Sequence, residues 1–272
     1  MAEQSADAAE SLMAYPFRTA LVTGASSGIG EQMVRLLVAD GVDVVVVARR
    51  RDRLDDLAGE LEGGAGSVEV LAADLTAAVD LEGVAARIID GGPVDLVVNN
   101  AGFGSSGEFV DVDPDRLRDE ITLNCIALTR LSHAAVTVMV ERGEGYLLNV
   151  SSVASFQPAP RLAVYAATKA FVTSFSESLH EEVRGSGVRV TALCPGLTPT
   201  EFQSVSSTDS YSEKFPGFVW TDSKHVAADG LSAVAKGRAL AVPGWFNKSV
   251  VAGSSVTPRA ILRRVSGLVQ RG

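Results

Sequence analysis

The chain has 272 residues, 46% hydrophobic and 21% charged, with a formal net charge of −9. That length suits one α/β domain, the apolar share is ample for a core, and general disorder is excluded. The acidic balance argues against duplex nucleic acid as a partner, because phosphate backbones call for a basic face.

The first sixteen residues carry Glu3, Asp7 and Glu10 and no basic n-region, so residues 1–16 read as a disordered tail, not a secretory signal. From there, β-branched apolar runs at 19–23, 42–47, 68–71, 96–98, 146–150, 188–193 and 239–242 predict seven buried strands. Helical patterns at 29–40, 52–61, 78–90, 114–140, 161–184 and 223–236 fall between them. The alternation predicts a single α/β domain over 17–245, a doubly wound fold with a seven-stranded parallel sheet and helices on both faces. Residues 198–222 interrupt it as an irregular insertion, and 246–272 form a basic extension. No apolar run is expected to reach the roughly 18 residues of a membrane span. Cys125 and Cys194 sit in apolar contexts, which predicts neither disulfides nor a metal site and suits a cytoplasmic protein.

After the first strand comes Thr23-Gly24-Ala25-Ser26-Ser27-Gly28-Ile29-Gly30, opening a helix. Glycines at 24, 28 and 30 suit a tight turn, close approach to a pyrophosphate and close helix packing. No Lys-Ser/Thr follows, so this is not a Walker A loop. The second strand ends in Ala48-Arg49-Arg50-Arg51 and lacks the acid that would bind a ribose 2′-hydroxyl. Arginine forks match a 2′-phosphate, so NADP(H) is the expected cofactor, with Arg49 the first choice as its partner. Tyr165 and Lys169, four apart on a helix, share a face, and a nearby cation would lower the phenol's pKa by roughly 1–3 units.

Together with Asp74, Asn99-Asn100-Ala101-Gly102, Asn124, Ser151-Ser152 and Pro195-Gly196, these motifs resemble the short-chain dehydrogenase/reductases over about residues 17–245. The resemblance implies a Rossmann-like fold and interconversion of a carbonyl and a secondary alcohol. It implies that Tyr165 is the proton donor, that Ser152 orients the substrate oxygen, and that Lys169 holds the nicotinamide ribose. Asn124 would help hold a proton-relaying water. Asp74 and neighbouring Leu75 would meet the adenine, Asn100, Ala101 and Gly102 would flank the cofactor, and Pro195, Gly196, Thr198 and Thr200 would meet the carboxamide and phosphates. Asn99 would be structural. The family's usual dimer or tetramer is expected to use the helices at 114–140 and 161–184.

The 198–222 segment carries Phe202, Tyr211, Phe215, Phe218 and Trp220, which predicts a lid over an apolar substrate, with Phe103 and Phe156 in the pocket wall. The resemblance extends to a lipid-modifying branch that includes mycolate-type ketoacyl reductases and 17β-hydroxysteroid dehydrogenase relatives, implying a 3-oxoacyl lipid or other bulky ketone. After Asp229 there is no acidic residue. Thr257-Pro258 opens a basic helix with Ile261, Leu262, Val265, Leu268 and Val269 as its apolar stripe, suited to an anionic membrane surface, an acyl carrier or a neighbouring subunit. A cofactor-sensing protein without turnover is the rival reading, and its mark would be a broken Asn124, Ser152, Tyr165 and Lys169 set. The segments lack the Gly-x-Ser-x-Gly elbow and the zinc helix, so hydrolase and metalloprotease chemistry are set aside.

Overall fold

The β-branched segments form the strands β1 Thr19–Thr23, β2 Asp43–Ala48, β3 Val68–Ala72, β4 Leu96–Asn99, β5 Gly145–Val150, β6 Val188–Leu193 and β7 Leu240–Ala241 in a computed structural model that describes residues 15–208 and 216–271. All pairings are parallel and the order is β3-β2-β1-β4-β5-β6-β7. The expected doubly wound, seven-stranded architecture is therefore present. The strand order reverses beside β1, and the carboxyl ends of β1 and β4 meet there, where open parallel sheets bind ligands.

Successive strand residues serve opposite faces. Val22, Val46 and Leu148 pack with Met33 and Leu37 of α1 (Gly28–Ala39) and with Val226 and Leu231 from a later helix. Leu21, Val47, Val97 and Leu147 pack on the other side with Val84 and Ile88 of α3 (Ala78–Asp90). The helix α2 (Arg51–Glu60) joins the first of these layers through Leu54 and Leu57. Each fully buried Leu or Val contributes about 1.5–3 kcal/mol, so the apolar runs suffice to order both layers.

The helix α4 runs over Pro114–Arg142. Asp113 caps it by accepting from the Asp115 amide, with Pro114 in its first turn, and Gly143 ends it at φ +81°. Thr122–Ala127 within it is a π-helical turn. On length and composition alone α4 could cross a membrane, contrary to the expectation that no stretch qualifies. Here Leu131, Ala135 and Met139 are packed against the sheet. The remaining helices are α5 (Ala163–Glu182), the single turn α6 (Phe202–Val205), α7 (Ser223–Ala235), α8 (Trp245–Val256) and α9 (Arg259–Arg271). The Asp222 side chain caps α7 by accepting from the His225 amide. Tyr211 and Phe215 lie outside the described residues, and so do the side chains of Phe218, Leu268 and Val269.

Candidate active site

A cavity of about 980 Å³ runs along the carboxyl ends of the strands, from Arg49 and Asp74 at one end to Ser152, Tyr165 and Lys169 at the other. At the first end the β1–α1 turn needs its glycines. Gly24 and Gly28 have φ of +66° and +61°. A Cβ on Gly30 would lie 2.5 Å from both Asn100 Nδ2 and the Gly24 carbonyl oxygen. Asn100 holds the turn by donating from Nδ2 to the carbonyls of Thr23 and Gly24 at 2.9 and 3.2 Å. The backbone amides of Asn100 and Ala101 in turn donate to Thr23 Oγ1. Ser27, at the start of α1, makes no side-chain capping bond, so the first amides of the helix retain donor capacity for an anion. The closely approached backbone, the helix N-terminus and the length of the cavity fit a dinucleotide. Ser26, Ile29, Leu75, Ala101, Pro195 and Gly196 also line it.

The three arginines separate in space. Arg49 is largely exposed at the rim, with Nη1 4.0 Å from Asp74. Arg50 reaches over the turn: Nη2 donates to Ser26 Oγ at 3.0 Å and Ser27 Oγ at 3.2 Å. It also pairs with Glu201 at 2.8 Å, which Arg53 approaches at 3.4 Å. The Arg50 guanidinium holds the Glu201 carboxyl below its usual range. Burial would raise the Asp74 carboxyl, but hydrogen bonds from Thr76 and the charge of Arg49 hold it low. Arg50 and Glu201 are thus site groups that the sequence does not single out. An Arg-Arg-Arg run does not reveal which side chain folds back, and Glu201 comes from a segment 150 residues away.

At the other end, Tyr165 and Lys169 are buried on the same face of α5, with Lys169 Nζ 5.8 Å from the Tyr165 ring centroid. Lys169 Nζ donates to the Val150 carbonyl at 2.8 Å. The expected depression of the phenol is not found. Burial pushes Tyr165 up to about 12, outweighing the neighbouring Ser152 hydroxyl, which favours the phenolate. Burial also brings Lys169 down to about 8. Desolvation disfavours both charged forms, and it sets the direction of both shifts.

The two serines after β5 face different ways. Ser151 Oγ donates to the Lys169 carbonyl at 2.8 Å and lies 2.7 Å from Thr173 Oγ1, a buried structural role. Ser152 lines the cavity beside Tyr165 and accepts from the Ala154 amide. Asn124 lies in the π turn, a feature frequent at functional sites. Its Nδ2 donates to the Phe103 carbonyl and Thr168 Oγ1, and its Oδ1 accepts from the Phe103 amide. A Cβ on Gly102 would come within 2.8 Å of Asn124 Oδ1 and 3.3 Å of Lys169 Nζ, so only glycine leaves that space open. Asn99 is structural, donating to Ser132 and Asn149.

The chain after β6 lines one side of the cavity. Gln203 Nε2 donates to the Thr198 carbonyl, while its Oε1 accepts from the Thr200 amide, shaping the Pro195–Thr200 turn over Gly28. The Phe202 ring stands 5.2 Å from the Tyr165 ring, and Leu162, Val219, Phe246, Val250 and Val265 complete an apolar wall. Phe103 also lines the cavity, whereas Phe156 and Trp220 do not. Asn247 of α8 is buried against Gly196, so the C-terminal stretch contributes to this wall.

Residues 18–210 match the family model for the short chain dehydrogenases, and the chain belongs to that family of oxidoreductases. It is 38% identical over 192 residues to an oxidoreductase of Myxococcus xanthus, spanning 70% of this chain and 76% of the relative. A short-chain dehydrogenase from Sphingobium yanoikuyae, solved in complex with NADPH, superposes with a TM-score of 0.79 at 33% identity, covering 89% of this chain and 97% of the other. The bulky-bulky ketone specific alcohol dehydrogenase from Comamonas testosteroni superposes with a TM-score of 0.75 at 30% identity, covering 89% and 96%.

Proposed function

We propose that the chain is an NADP(H)-dependent enzyme that interconverts a bulky, apolar ketone, such as a 3-oxoacyl lipid, with its secondary alcohol. The observation that carries this reading is one cavity with Arg49, Arg50, Ser26 and Ser27 at one end and Ser152, Tyr165 and Lys169 at the other. The bound nicotinamide would supply or accept the hydride. Tyr165 would give its proton to the developing alkoxide, Ser152 would orient the carbonyl oxygen, and Lys169 would stabilise the phenolate left behind. Asn124 would hold the Phe103 loop against α5. The apolar wall from Leu162, Phe202, Val219 and Phe246 supports a bulky substrate, as does the likeness to a bulky-ketone dehydrogenase. The intact catalytic set favours turnover over a sensor that merely binds cofactor.

A panel of carbonyls with NADPH, including long-chain 3-oxoacyl thioesters, steroids and quinones, tests the reading. Turnover of bulky ketones is expected. Activity confined to sugars or short polyols would contradict it.

Because Lys169 is brought down to about 8, its cation is present below that pH and lost above it, while Tyr165 at about 12 stays protonated throughout. Ketone reduction is therefore expected to hold to about pH 8 and fall as pH rises further. A flat profile of kcat/KM between pH 6 and 10 would remove Lys169 from the proposed role.

Exposed Ile126 on α4 and Phe171 on α5 support a homodimer or homotetramer through these helices. On α9, the arginines at 259, 263 and 264 beside half-exposed Ile261 and Val265 support contact with an anionic membrane surface or acyl carrier, within a cytoplasmic setting.

A further inference from the structure

The segment Asp115-Arg116-Leu117-Arg118-Asp119-Glu120 reads as a solvated turn of helix, yet Glu120 is fully buried, at 0% exposure. Neither carboxylate oxygen makes a well-formed hydrogen bond among the described residues, and neither does the Ser105 hydroxyl, although Ser105 stands close enough to favour the carboxylate. Arg116, one turn earlier, is committed elsewhere: it donates to the carbonyls of Gly104 and Val205 and stacks over the Phe103 ring.

The charged or titratable groups that face Glu120 are Arg116 from its own helix, Cys125 from the π turn, and Tyr165 and Lys169 from α5. Burial raises the Glu120 carboxyl above its usual value, against the pull of the Ser105 hydroxyl, Arg116 and Lys169. A buried carboxyl raised in this way holds its proton more readily than an exposed one, beside the lysine and the phenol of the site. Water is the natural bridge to Lys169, because buried polar atoms left without a well-formed hydrogen bond are commonly satisfied by it.

We propose that Glu120 is the internal proton store of the site, a positioning residue that acts through Lys169 and restores to it the proton that Tyr165 gives to the product. This rests on the carbonyl–alcohol chemistry proposed above. During reduction the Tyr165 O–H bond breaks as an O–H bond forms on the product. The phenolate is reloaded from the Lys169 ammonium. The lysine amine takes a proton, through an intervening water, from the Glu120 carboxyl, and the carboxylate recovers one from solvent. One solvent proton enters per turnover, and the hydride donor of the proposed reaction is the sole other reactant.

The decisive comparison is Glu120→Gln against the wild-type chain in two readouts. The first needs no cofactor: an ultraviolet difference titration of Tyr165, with Tyr165→Phe as the blank. Removing the carboxylate relieves its repulsion of the phenolate, so the transition is expected to move to lower pH by about half a unit or more. The second is kinetic, on the full chain with NADPH and a ketone. Here kcat is expected to fall about tenfold with KM unchanged and the solvent deuterium isotope effect increased, while Glu120→Asp recovers part of the loss. An unmoved titration overturns the proposal. So does an unchanged kcat and isotope effect, or a change confined to KM. A wild-type chain inert toward every ketone overturns the reaction itself and the relay with it, and is distinguished from a failed relay by the wild-type rate alone.

Discussion

Tyr165→Phe is expected to lower kcat for ketone reduction by about 10²- to 10⁴-fold while leaving cofactor affinity unchanged. The phenol is the proposed proton donor, and it stands on the cavity wall beside Ser152 and Lys169. Removing its hydroxyl leaves the ring, and with it the contact to Phe202 at 5.2 Å, so the fold and the apolar wall are retained. The loss should therefore appear in kcat alone. A stopped-flow comparison of NADPH binding and ketone turnover in the two proteins separates these effects. A variant that still turns over within tenfold of wild type would move the proton donor elsewhere.

Replacing Arg49 and Arg50 together by Ala should raise KM for NADPH by about 10- to 100-fold and leave KM for NADH nearly unchanged. The estimate follows from charge-assisted hydrogen bonds to a 2′-phosphate, each worth on the order of 1.5–3 kcal/mol. Of the two, Arg50 should carry more, because it already lies on Ser26 and Ser27, whereas Arg49 points toward Asp74. Glu201 sharpens the expectation. Its carboxylate pairs with Arg50 at 2.8 Å, in competition with any phosphate that approaches the same guanidinium. Glu201→Gln should thus tighten NADPH binding modestly. Equal effects of the arginine changes on both cofactors would contradict a role in reading the 2′-phosphate.

Much of the fold was legible because parallel strands buried on both faces are written as continuous apolar runs, and because Gly24, Gly28 and Gly30 announce the turn that follows the first of them. No strand end moved by more than one residue, and the expected 239–242 strand shortened at both ends to Leu240–Ala241. The helix Trp245–Val256 was not foreseen. Its sequence WFNKSVVAGSSV has three serines, a glycine and three valines, poor helix formers that are held in place by tertiary contacts such as Asn247 on Gly196.

The same limit applies in the site. Tyr165 and Lys169 follow from helical spacing, but their electrostatics do not: spacing suggests a cation that lowers the phenol, and burial reverses the sign. Glu120 looks like one more charge in a polar turn until α4 is folded against α5 and the chain after β4. Burial is a property of the assembled layers, so no local pattern could have identified it.

Hydride transfer to a carbonyl is the central claim, and NADPH deuterated at C4 of the nicotinamide tests it most directly. Incubated with the ketone that turns over best, the protein should yield an alcohol with one deuterium on the carbinol carbon, and Tyr165→Phe should yield almost none. An alcohol that forms without the label, or label transfer undiminished in Tyr165→Phe, would contradict it.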